Sequence, residues 1–212
     1  MAGAERRAVT VSARHARVGV IDIGSNSIRL VVYDAPVRAF IPIYNEKAMC
    51  GLGKGLASRG RLPPESISLA LDTVRRFVEL ARAMSVGRLD VIATAAVREA
   101  LDGPDFVKAV ERRCGVRVEV LSGMEEGRLS ALGVMSDLPK AHGVIGDLGG
   151  GSLELVSVED GRIGEQATLP LGPLRLLDET GGDLRQAETI IDHELTAVPW
   201  LAARAKGRRV YA

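Results

Sequence analysis

The chain of 212 residues is poor in aromatics and cysteine and nearly without net charge. Three Phe, three Tyr and one Trp make up 3% of it, too few flat rings for a platform that stacks the bases of single-stranded nucleic acid. Lys and Arg number 28 against 27 Asp and Glu, a net charge of +1. A general binder of nucleic acid or of membrane surfaces carries a stronger basic bias, so neither is expected as a partner. Cys50 and Cys114 form no CxxC pair, which argues against a disulfide framework and a Cys-type zinc site. Such sparse cysteine suits a reducing cytoplasm. His15, His142 and His193 are scattered, and no metal-binding His cluster or Ser-His-Asp grouping stands out. No uninterrupted apolar run reaches the length of a transmembrane helix. The start, Met1 to Arg17, carries four Arg and one Glu without the apolar core of a secretory signal. Residues 1–16 therefore read as a loose, disordered basic tail.

The rest has the composition of a globular protein, with 46% hydrophobic and 26% charged residues. At roughly 150 residues per domain, the length lies between one domain and two. Glycine is in excess, 24 residues, where a typical sequence has about 7%. Short apolar runs alternate with helical patterns. Val18–Ile23 and Ile28–Ala35 read as strands joined by a tight turn at Gly24–Ser27, and Phe40–Tyr44 as another strand. Met49–Arg61 is a glycine-rich connector. After Pro63 and Pro64, apolar residues at Ile67, Ala70, Leu71, Val74, Phe77, Val78, Ala81 and Met84 keep helical spacing. Then come strand Leu89–Ala93, a loop of sequence TAAVRE, helix Pro104–Arg113 and strand Val116–Leu121. A further helix opens at Ser122 with Glu125 as its capping-box partner and runs to Met135. Strands Val144–Leu148, Leu153–Val158 and Arg162–Leu169 and a long helix Leu184–Ala205 complete an α/β pattern with mixed sheets.

One unit occurs twice. VGVIDIGSNSIRLVVYD (Val18–Asp34) and GVIGDLGGGSLELVSVED (Gly143–Asp160) share an apolar strand, an Asp-x-Gly turn of small residues and a second strand. Two such copies predict two lobes of like topology. The division is 17–138 for the first lobe and 139–212 for the second, with the helix after Ser122 crossing between them. The turns carry chemistry. Glycine lets backbone amides approach an anion, and successive amides form an anion-binding concavity. The Asp beside each turn would repel phosphate unless a cation stood between, so Asp22 and Asp147 suit a phosphate turn with Mg2+ held partly through water.

Asp22–Leu30 and Asp147–Leu155 resemble the two phosphate loops of the Ppx/GppA family of exopolyphosphatases and guanosine pentaphosphate phosphohydrolases. Thr94–Ala100 (TAAVREA), Leu121–Val134 (LSGMEEGRLSALGV) and Gly51–Leu56 (GLGKGL) resemble three further segments of that family, in the same order. The resemblance spans residues 17–180. It implies a ribonuclease-H-like, actin-like ATPase fold of two lobes with mixed sheets. Family members continue well beyond this point, so the second lobe is read as incomplete.

By that resemblance, Glu126 is the base that orients the attacking water, and Glu154 an essential acid that positions Mg2+ or water. Gly24, Ser25, Asn26, Ser27, Arg29 and Arg98 hold the terminal phosphoryl group. Gly149, Gly150, Gly151 and Ser152 hold its neighbours. Asp22, Asp147 and Glu154 are the metal-side carboxylates, with Asp147 counted among the catalytic acids. The implied reaction is Mg2+-assisted removal of terminal phosphoryl groups from polyphosphate. Its alternative is conversion of guanosine pentaphosphate to the tetraphosphate, which the same machinery would perform. An actin-like kinase or ATPase needs an adenosine-binding segment with paired glycines, and none occurs before Ala212. A phosphate or alarmone sensor without turnover is disfavoured by intact Glu126, Asp147 and Glu154. A homodimer of the full-length protein stays open.

Overall fold

The computed structural model describes residues 16–34, 42–206 and 209–212. Most of the expected basic tail, and Phe40 and Ile41 of the expected strand, lie outside the described residues. The first sheet has five strands in the order β3-β2-β1-β4-β5. They are β1 (Arg17–Ile23), β2 (Ser27–Tyr33), β3 (Pro42–Met49), β4 (Val86–Ala93) and β5 (Glu119–Val120). The first three are antiparallel neighbours, and β4 runs parallel to β1. The second sheet has four strands in the order β8-β7-β6-β9, formed by β6 (Gly143–Leu148), β7 (Leu153–Glu159), β8 (Arg162–Leu169) and β9 (Arg209–Tyr211). Its order repeats the first four strands of the first sheet, as the sequence repeat predicts. The whole is a two-lobed α/β fold of ribonuclease-H-like sheets, the second with one strand fewer.

Alternation fixes which face of each strand is buried. Ile21, Ile23, Ile28, Leu30 and Val32 are fully buried under α2 (Pro64–Ala83) and α4 (Gly103–Cys114) in one continuous core. The intervening Asp22 and Arg29 point to the opposite face. In the second sheet that equivalent face is covered by α5 (Gly123–Asp137), where Ala131 packs with Ile145, Val156 and Val158. The other face meets α6 (Pro173–Thr180), α7 (Leu184–Thr196) and α8 (Pro199–Ala205) through Val144, Leu155, Leu169 and Val198. Among the described residues, no helix is long and apolar enough to cross a membrane.

Several expectations are corrected. The long helix over 184–205 is two helices. Val198 leaves the helical region ahead of Pro199 (φ −104°, ψ 85°), as a residue before proline tends to do, and Pro199 opens the next helix. The Met49–Arg61 connector holds a one-turn helix, α1 (Leu56–Arg59), bounded by left-handed Gly55 and Gly60. TAAVRE is not a loop: α3 (Ala95–Glu99) forms there, too short to show a period, with Ala95, Ala96 and Val97 buried. Only Glu119 and Val120 of the strand expected over Val116–Leu121 pair with β4. Helix α6 has no counterpart in the sequence reading.

Candidate active site

The two Asp-x-Gly turns face one another across a cleft of about 530 Å³. Each turn is closed the same way. The Gly24 amide donates to the Ser27 carbonyl at 3.0 Å, and the Gly149 amide to the Ser152 carbonyl at 2.9 Å. These two amides are therefore used inside the turns and are not available to an anion. The amides of Ser25, Asn26, Gly150 and Gly151 donate to no backbone carbonyl among the described residues. Their residues line the cleft, as do Gly24, Ser27, Gly149 and Ser152.

Glycine at 150 and 151 lets the turns touch. A Cβ on Gly150 would stand 3.1 Å from Ser25 Cβ, and one on Gly151 would stand 2.9 Å from Ser25 Oγ and 3.1 Å from Ala95 Cβ. The floor of the cleft is this contact. Gly151→Ala is expected to wedge the lobes apart and lower stability by about 1–3 kcal/mol, the usual cost of overpacking, as read by thermal unfolding.

Helix α5 brings the carboxylates together. The Ser122 hydroxyl accepts from the Glu125 amide at 3.2 Å and Glu125 accepts from the Ser122 amide at 2.9 Å, a complete capping box. Glu125 is thus occupied at the helix start and Glu126 turns to the cleft wall. The helix lies close on the sheet because Gly123 and Gly127 face it. A Cβ on Gly123 would strike Thr168 of β8, and one on Gly127 would stand 3.3 Å from Glu154 Cβ.

Strand register repeats across the lobes. Asp22 on β1 pairs with Arg29 on β2, which pairs with Lys47 on β3. The equivalent row of the second sheet is Asp147, Glu154 and Thr168. Arg29 is exposed on the cleft wall, whereas Glu154, its equivalent, is covered by α5 and only 1% exposed. Glu154 is buried behind the cleft lining rather than in it. Among the described residues, neither of its carboxylate oxygens makes a hydrogen bond of ordinary geometry, nor does Asp22 Oδ1 or Ser152 Oγ, although the Ser152 side chain stands near enough to pull the Glu154 carboxyl down slightly. Burial, with the nearby Glu126 charge, pushes the Glu154 carboxyl up to about 7. Burial, then the Glu126 and Asp147 charges, push Asp22 up to about 6. Burial also raises Glu126, against the opposing pull of Arg98.

Arg98 is placed differently from its expected role. It does not line the cleft. Its Nη1 donates to Glu126 Oε2 at 2.9 Å and to the Leu121 carbonyl at 3.0 Å, so it stands behind the carboxylate and braces it. Arg29, in contrast, lines the cleft with its Nε held by Asn45 Oδ1 at 2.8 Å. Sequence reasoning missed Lys47, Thr94, Ala95, Leu148, Pro173 and Leu174 of the lining. Lys47 lay beyond the strand expected over Phe40–Tyr44, and only the β3 pairing shows it opposite Arg29. Two cations directly opposite one another repel, and an anion between them removes that cost.

Two sheets of like strand order whose repeated turns meet at a carboxylate-lined cleft define a two-lobed, ribonuclease-H-like α/β class of fold. The chain belongs to the Ppx/GppA phosphatase family, whose model matches residues 30–196. It is 35% identical over 166 residues to Exopolyphosphatase 1 of Mycobacterium leprae, covering 77% of this chain and 49% of that protein. An exopolyphosphatase structure from Cytophaga hutchinsonii superposes with a TM-score of 0.73 at 30% identity, over 77% of this chain and 53% of that one. The Aquifex aeolicus family member gives 0.68 at 30% identity, over 77% and 54%. The chain spans about half the length of the curated relatives it matches.

Proposed function

We propose that this chain carries the phosphate-cleaving cleft of an exopolyphosphatase, which hydrolyses the terminal phosphoryl group of inorganic polyphosphate. The observation that carries the reading is the meeting of two equivalent turns, with unused amides, beside Glu126 and Asp147. Relatives named as exopolyphosphatases favour polyphosphate as substrate. Amides of Ser25, Asn26, Gly150 and Gly151 take phosphate oxygens, and Arg29 and Lys47 receive the chain at the cleft wall. Glu126, braced by Arg98, accepts a hydrogen bond from a water and orients it in line with the terminal phosphorus. The P–O bond to the next phosphate breaks and orthophosphate leaves.

A divalent cation fits this acid-rich cleft. Among the described residues, buried oxygens of Asp22 and Glu154 lack hydrogen-bond partners, and the charges of Glu126 and Asp147 add to burial in raising the pKa of both. Among the described residues no group of three or more His, Cys, Asp or Glu stands ready to hold a metal. That suits Mg2+, which typically takes one or two carboxylates and completes its shell with phosphate and water. Asp22 and Asp147, both in the cleft lining, are the residues that would hold it, with Glu154 buried behind Asp147 rather than reaching the cation. When bound it would offset phosphate charge.

The test is orthophosphate release from long-chain polyphosphate and from guanosine pentaphosphate, with Mg2+ and with chelator. Faster Mg2+-dependent release from polyphosphate is expected. Preference for the nucleotide would favour the sister activity, and phosphate binding with no release from either would favour a sensor. Arg98 has its own test. As a brace for Glu126, Arg98→Lys should lower kcat by about tenfold or more and change KM far less. A direct phosphate contact made equally in ground and transition states would raise KM instead.

A further inference from the structure

Ser130 follows Glu126 by one helical turn, on the same side of α5. Its hydroxyl donates to Asp147 Oδ2. The acids bearing on Asp147 are Asp22, Glu126 and the cross-strand Glu154. A hydroxyl is a neutral donor. It fixes one carboxylate oxygen and leaves the charge, and the remaining lone pairs, for a ligand in the cleft. A Lys or Arg in its place would compete with a cation. Among the described residues the first lobe shows no such arrangement: Asp22, the repeat equivalent of Asp147, keeps Oδ1 buried without a partner.

We infer that Ser130 is a positioning residue, whose hydroxyl orients Asp147 as a one-oxygen ligand for the divalent cation that accompanies a phosphate substrate. The inference rests on the cation-assisted reading of the cleft. It goes beyond that reading in naming the group that aims the carboxylate. It also ties two functions to one element. The turn of α5 that carries Glu126 into the cleft sets Asp147 as well, so water orientation and cation placement share a rigid frame.

Mn2+ is the probe, followed by electron paramagnetic resonance titration of the wild-type chain and of Ser130→Ala and Ser130→Thr. Loss of a hydrogen bond to a charged group should weaken Mn2+ binding by about tenfold in Ser130→Ala. The threonine hydroxyl should restore it to within about threefold, since the donor chemistry is kept. In steady state the Ser130→Ala defect should fall on the Mg2+ concentration for half-maximal phosphate release more than on the rate at saturation. Equal Mn2+ affinity in wild type and Ser130→Ala overturns the inference. So does a threonine variant as weak as alanine, which would mark a packing effect. Mg2+-dependent release with unaltered Ser130→Ala binding sinks the Ser130 role alone. Wild-type protein that neither binds Mn2+ nor responds to Mg2+ sinks the cation reading itself.

Discussion

Glu126→Gln is expected to cut orthophosphate release from polyphosphate by about 10²–10⁴-fold, the range general-base residues contribute. Glutamine keeps the shape and an acceptor oxygen for Arg98, which now sits 2.9 Å from the carboxylate. It loses the charge that draws a proton from the attacking water. Polyphosphate affinity, measured by calorimetry, should stay within a few-fold or tighten, because a negative charge leaves an anion-binding cleft. A second consequence follows. The Glu126 charge is among the causes raising both Asp22 and Glu154. In Glu126→Gln both carboxyls should titrate lower than in wild type, which carboxyl-resolved NMR can follow. Full activity in this variant would remove Glu126 as the base.

Glu154→Gln should have effects of opposite sign on activity and stability. The wild-type carboxyl is raised from 4.5 to about 7, first by burial and then by Glu126. Its folded-state pKa thus exceeds the unfolded one. The stability linked to its bound proton is fully present below about 4.5 and is lost as pH rises through about 7. Asp22, raised to about 6, adds loss of the same sign in the lower part of that window. Glutamine has no proton to lose. In chelator, wild-type protein should lose stability between pH 5 and pH 8 by about 3 kcal/mol more than Glu154→Gln does, an upper figure from the full shift. That is roughly 6–12 °C in Tm for a chain of this size. Added Mg2+ should restore part of the wild-type loss and little of the variant's, since a ligand that binds the native state stabilises it. Phosphate release should meanwhile fall at least about tenfold with KM changed far less, as expected for a residue that positions the cleft carboxylates from behind. Identical stability curves for the two proteins would contradict a buried, unpaired Glu154.

Much of the fold was legible because its signals were local and repeated. The strand–turn–strand unit at Val18–Asp34 and Gly143–Asp160 carried its own alternation, so both hairpins, their Asp-x-Gly turns and the like order of the sheets could be read. The capping box at Ser122 and Glu125 announced α5. Short elements were lost for a physical reason. Ala95–Glu99 and Leu56–Arg59 are each little more than a turn, and no period fits within them. The cleft was legible as a set of residues but not as an arrangement. Glu154 was legible as an acid of the site, but its burial under α5, admitted by Gly127, had no local signal. Arg98 looked like a phosphate ligand, yet its distance from Glu126 in sequence gave no sign of their pairing. The glycine excess also changed meaning. Gly150 and Gly151 permit lobe-to-lobe contact as well as leaving amides for an anion, while Gly53 donates to the Ser25 carbonyl at 2.7 Å and supports the first turn from behind.

The most direct test is amide NMR of this chain titrated with tripolyphosphate, with and without Mg2+. The largest shifts should fall on Ser25, Asn26, Gly150 and Gly151, whose amides are unused, and should exceed those of Gly24 and Gly149, whose amides close the turns. Mg2+ should tighten the binding. Saturable binding that shifts other regions and leaves those four amides in place would contradict the assignment of this cleft.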